Sequence, residues 1–149
     1  MRRLRLRGDR GSAAVEFAIV IPILLLLVLG TVEFGRVLFL QNSITNAARV
    51  GARTMAIEAS SAGSNATAVA AAVADAKAQT VAAAAVAPAL TTAQVTVSTS
   101  NGTTNCVVPA VGTAVYVTVT VAYPVTQITG FLPVFPTALA AKASVRCDG

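Results

Sequence analysis

The sequence predicts an α+β fold: a long N-terminal transmembrane helix extends into a small outer domain, built from an Ala-rich helix and a three- to four-stranded antiparallel sheet. Three observations carry this. Phe17 to Val32 contains no charge, Ala66 to Ala87 is dominated by the strongest helix former, and apolar residues alternate with polar ones in three segments of the C-terminal half. A mean hydropathy of +0.73 is too apolar for an ordinary soluble domain, and the N-terminal block supplies much of the excess.

The first element is basic. Arg2, Arg3, Arg5, Arg7 and Arg10 precede Gly11 with only Asp9 against them, so +4 of the formal charge of +5 lies in the first ten residues. So little positive charge remains elsewhere that no basic stripe is left to displace counterions from a phosphate backbone, which argues against a nucleic-acid partner. Residues 1–11 read instead as a cytoplasmic leader that keeps the N-terminus inside while the chain beyond the span crosses the membrane.

Residues 12–40 form the predicted transmembrane helix. Its charge-free run measures about 24 Å at 1.5 Å per residue against a hydrocarbon core of about 30 Å, so Ala13 to Val15 and Phe34 to Leu40 must extend it. Glu33 and Arg36 lie three apart on one helical face and screen each other near the far interface. Pro22 removes one backbone hydrogen bond, which membrane helices tolerate where a neighbour satisfies the freed carbonyl. The periodicity continues through 41–59, where Ile44, Ala47, Ala48, Gly51, Ala52 and Met55 recur at helical spacing and Asn42, Asn46, Arg49 and Arg53 form a polar stripe. One helix from about Ser12 to about Ala59 is the simplest reading. Arg49 and Arg53 are then either a solvated face or subunit contacts.

Residues 60–149 form the predicted outer domain. Ser64 or Asn65 offers an N-cap after a small-residue loop, and Pro88 closes the Ala-rich helix, with a low-complexity linker as the other reading of that stretch. Val95 and Val97 begin a strand, and Asn101-Gly102 signals a two-residue hairpin that would set Val97 opposite Cys106 and Val95 opposite Val108. Val115, Val117, Val119, Val121 and Tyr123 form a second alternating strand. Leu139, Ala141, Ala143, Val145 and Cys147 form a third, with Lys142, Ser144 and Arg146 outward. The intervening segment to Pro136 is rich in Pro and large apolar residues, suited to covering the sheet or touching a partner. Cys106 and Cys147 fall on the apolar faces of their strands. They are either a disulfide, favoured if the domain lies outside the cytoplasm, or two buried thiols.

Catalysis finds little support. The chain has no His, its acids beyond Arg53 are Glu58, Asp75 and Asp148, and it has no Gly-rich phosphate loop, so neither an enzyme nor a metal or other cofactor is expected. The sequons at Asn65 and Asn101 are accounted for by the cap and the turn.

The junction Gly11-Ser12-Ala13-Ala14-Val15-Glu16-Phe17 ahead of an apolar helix resembles the processing signal of type IV pilins, which a prepilin peptidase cuts after the Gly. That resemblance makes Ser12 the new N-terminus and Glu16 the fifth mature residue, attracting the terminal amine of a neighbouring subunit. Ala18 to Gly30 with Pro22, then Glu33-Phe34-Gly35-Arg36, then Asn46-Ala47-Ala48-Arg49-Val50-Gly51-Ala52-Arg53, resembles the TadE-like proteins of the tight-adherence (type IVc) pilus. The ending, Val119 to Val125 and Ala143 to Arg146, resembles it more weakly, and Cys147-Asp148 departs from the acidic residue that would directly follow the Arg. The resemblance implies a minor pilin or pseudopilin in the bacterial inner membrane, since major subunits of this pilus are much shorter. It also implies as partners a prepilin peptidase, other pilin or pseudopilin subunits, inner-membrane assembly proteins and membrane lipid. Two further readings stay open: an uncleaved membrane-anchored scaffold of the same machinery, and a secreted soluble domain behind a conventional signal peptide.

Overall fold

The computed structural model describes residues 9–86, 88–107, 114–126 and 137–147. A 54-residue helix, α1 (Asp9–Ala62), is followed by α2 (Ala66–Ala83) and by three strands, β1 (Val95–Thr99), β2 (Tyr116–Pro124) and β3 (Ala138–Arg146). The strands form one antiparallel sheet in the order β1-β2-β3. This is the α+β architecture the sequence implies.

α1 outruns its expected limits at both ends. It begins at Asp9, inside the basic segment, and it runs through the serines that read as a loop. Ser60 Oγ donates to the Ala56 carbonyl at 2.6 Å and Ser61 Oγ to the Glu58 carbonyl at 2.8 Å, so both hydroxyls are satisfied on the helix itself. Gly63, at φ 58°, then turns the chain through the left-handed region that a side chain resists. Of the two candidate caps, Asn65 rather than Ser64 caps α2, its Oδ1 accepting from the N–H groups of Thr67 and Ala68 at 3.1 and 3.2 Å.

α2 stops at Ala83, short of the expected Ala87. Pro88 has no N–H for the Ala84 carbonyl and its ring would collide with it, so the last turn cannot form. The freed donors are used elsewhere. Ala84 N–H closes onto the Val81 carbonyl at 3.3 Å, and Ala85 N–H is accepted by Ser43 Oγ of α1 at 2.9 Å.

One face of the sheet makes the core. Val95, Val117, Val119, Val121, Tyr123, Leu139, Ala141 and Ala143 are buried together with Ile44, Ala48, Ala52 and Met55 of α1 and Ala72 and Ala76 of α2. Lys142, Ser144 and Arg146 face outward on β3, as their alternation requires. The helices approach closely at Gly51, where a Cβ would run into Thr80 Oγ1 and lie 3.0 Å from the Ala76 carbonyl oxygen.

The expected hairpin about Asn101-Gly102 is corrected. β1 pairs with β2, Val95 opposite Val121 and Val97 opposite Val119, and Cys106 has no place opposite Val97. The turn itself forms, with Gly102 at φ 74° and its N–H on the Thr99 carbonyl at 3.2 Å. Beyond it, the Asn101 side chain takes over the local bonding, donating to the Asn105 carbonyl at 3.2 Å and accepting from Thr103 N–H at 3.1 Å. Val108 lies outside the described residues, as do 127–136, the greater part of the Pro-rich segment.

Cys106 and Cys147 are bridged, with Cα atoms 5.6 Å apart across 41 residues of sequence. Cys147 N–H donates to the Val115 carbonyl at 2.8 Å, so the bridge ties the 100–107 turn to the end of the β2–β3 ladder. A loop of this size confers about 4 kcal/mol by restricting the unfolded chain. Replacing both cysteines by serine is therefore expected to lower the thermal midpoint of the outer domain, followed by protease resistance; an unchanged midpoint would contradict the estimate.

Candidate functional site

The candidate site is the surface of α1, read from its N-terminus upward. Every residue from Gly11 to Leu29 is exposed among the described residues, including Ser12, Glu16 and Phe17. Phe17 is 66% exposed and Leu27 60%, on a helix apolar on all sides. Such a surface is stable only in lipid or among other helices. Glu16 is the sole ionisable side chain between Gly11 and Val32. Ser12, four residues before it, shares its face. Toward the far end of this length Leu26, Leu27, Gly30, Thr31, Phe34 and Gly35 line a shallow apolar groove, opened by the two glycines.

The next cluster joins this apolar length of α1 to the C-terminal domain. Glu33 is only 2% exposed and lies 4.0 Å from Arg36 Nη1, the ion pair its spacing predicts. Arg36 Nη1 also donates to the Thr126 carbonyl at 2.8 Å, just past the end of β2. Tyr123 stands nearby: its hydroxyl donates to the Pro88 carbonyl at 2.8 Å, and burial raises its pKa while the Arg36 charge pulls it part of the way back. One step farther along α1, Gln41 Nε2 donates to the Ala140 carbonyl of β3 at 3.0 Å. Thr126, Pro88 and Ala140 take part through backbone carbonyls, so no side-chain signature in the sequence marks them.

The remaining motif residues divide by face. Phe34 and Gly35 point outward, Ala48 and Gly51 are buried against α2, and Arg49 and Arg53 are exposed. Arg53 lines a groove with Ala56, Ile57, Ser60, Val145 and Arg146 at the end of the domain away from the span. Among the described residues, no three His, Cys, Asp or Glu side chains converge as they would around a metal ion.

Glu58, near the C-terminus of α1, has its pKa raised above the usual 4.5, first by burial and then by the negative charge of Asp75 on α2. A carboxyl that holds its proton more tightly in the folded chain contributes stability that is complete below the ordinary value and is lost as pH rises through the raised one. The thermal midpoint of Glu58→Gln is therefore expected to fall less than that of the parent between about pH 4 and 7. Equal slopes would contradict this.

Residues 11–53 match the family model described as TadE-like protein. The match covers the exposed apolar length of α1, the Glu33–Arg36 cluster and the α2-facing part of α1, and ends before α2 and the sheet. No curated protein and no solved structure matches the chain.

Proposed function

We propose that this chain is a minor pilin or pseudopilin of a tight-adherence pilus system, cut by a prepilin peptidase between Gly11 and Ser12 and assembled through Glu16. The observation that carries the reading is Glu16 itself, the single ionisable side chain in the exposed, otherwise apolar stretch from Gly11 to Leu29 of α1. A carboxylate within a span costs about 2.5–3.5 kcal/mol at the bilayer centre and less toward the edge, so a partner of opposite charge is favoured. The amine of Ser12 in an adjoining subunit would be that partner, and the pair would fix the axial register of assembly.

Other features support the same reading. The matched family segment includes Gly11, Ser12 and Glu16, and α1 is long and apolar enough to anchor the chain in a membrane. The disulfide suits a domain held in an oxidising compartment, with the arginine-rich end in the cytoplasm and the domain in the periplasm or beyond. The peptidase, other pilin subunits and inner-membrane assembly proteins are then its partners, and its role is structural rather than catalytic.

Intact-mass analysis of the protein purified from its native membrane tests this. A chain beginning at Ser12 supports the proposal, and one retaining Met1 favours the uncleaved scaffold.

A further inference from the structure

The height of the outer domain above the bilayer follows from two lengths. If Ala13 to Val32 fills the hydrocarbon core of about 30 Å, Arg36 stands four residues, or about 6 Å, above its boundary. If Phe17 to Arg36 fills it, Arg36 stands at the boundary. The headgroup layer is about 5–7 Å deep on each side, so Arg36 falls within it in both limits. Arg36 is hydrogen-bonded to the Thr126 carbonyl, and Val125 N–H to the Thr137 carbonyl at 2.9 Å, which brings that end of the β2–β3 ladder to the same height.

The surface there suits lipid. Phe34, Leu38 and Phe39 of α1 are 57%, 48% and 58% exposed, and Pro124, Thr126, Thr137 and Ala138 are exposed and uncharged. Interfacial lipid accepts such apolar and uncharged polar groups beside a partly exposed arginine. Tyr116, at the other end of β2, is about 26 Å away, beyond the headgroups.

We propose that the outer domain docks on the membrane: the end carrying Arg36, Thr126 and Thr137 is seated in the lipid headgroup layer, and the bilayer surface is a second partner besides the span. This rests on reading α1 as a membrane helix. Seating the domain at two points on the bilayer restricts its swing about the span.

The chain contains no tryptophan, so a single introduced one reports its own surroundings. The full chain is reconstituted in nanodiscs with nitroxide-labelled lipid as three variants: Thr126→Trp at the proposed contact, Tyr116→Trp at the far end, and Leu26→Trp within the span. The proposal expects Thr126→Trp to emit at shorter wavelength than Tyr116→Trp and to lose most of its emission to a headgroup-level nitroxide, with Tyr116→Trp little affected. Water-like, unquenched emission from Thr126→Trp alongside quenched Leu26→Trp would overturn the docking and leave the span intact. Unquenched emission from Leu26→Trp as well would overturn both.

Discussion

Glu16→Ala is expected to leave α1 in the membrane and to abolish assembly of the chain with its neighbours. Removing a charge makes the helix cheaper to insert, by at most about 2.5–3.5 kcal/mol and less near the edge of the bilayer, so the amount in the membrane fraction should not fall. Assembly responds in the opposite direction. The amine of Ser12 would be left desolvated without its partner, and losing one member of a buried ion pair costs about 3–5 kcal/mol, a hundredfold or more at each contact. Glu16→Gln keeps the size and hydrogen-bonding capacity and should fail almost as badly, which separates charge from shape. Normal recovery of either variant in sheared pilus fractions would remove Glu16 from its proposed role.

Gly51→Leu should prevent the outer domain from packing. A single Cβ at Gly51 already meets Thr80 Oγ1, and lies 3.2 Å from Thr80 Cβ. The hydroxyl cannot move away cheaply, because it donates to the Ala76 carbonyl at 2.7 Å in a fully buried setting. Gly51→Ala is therefore expected to lose about 1–3 kcal/mol by overpacking, which exceeds the gain of about 0.5–1 kcal/mol from replacing a helical glycine. Leu has nowhere to go, and the two helices would have to separate. Thr80→Ala removes the clashing oxygen and should recover part of the Gly51→Ala loss, a coupling that a double-mutant cycle in thermal unfolding would measure. Additive effects of the two substitutions would mean that the helices adjust at this crossing instead.

The elements visible in the sequence were those whose signal is local and repeated. The charge-free run and the Ile44 to Met55 spacing marked α1, alternating Val and Thr marked β2, and the Ser64-Asn65 pair marked the start of α2 to within a residue. What stayed hidden depends on partners distant in sequence. Asn101-Gly102 specifies a reversal but not which strand pairs with β1; β2 offers a longer row of matching valines than the residues after the turn. The partner that takes up the donor freed beyond α2 is Ser43, which lies 42 residues from Ala85 and accepts its N–H. Within the candidate site, Glu33 and Arg36 could be paired from their spacing alone. That Arg36 also holds Thr126, 90 residues away, follows only from the fold.

Carbodiimide coupling within assembled, membrane-embedded protein probes the contact between Ser12 and Glu16 of neighbouring subunits, because it joins a carboxylate to an amine only where the two already touch. Chains of light and heavy isotope composition are mixed before assembly, so that a link between subunits differs in mass from a link within one. A branched peptide joining Ser12 of one chain to Glu16 of another is expected, absent from Glu16→Ala. Assembled protein in which that amine and that carboxylate are both recovered uncoupled, or joined only within single chains, would contradict it.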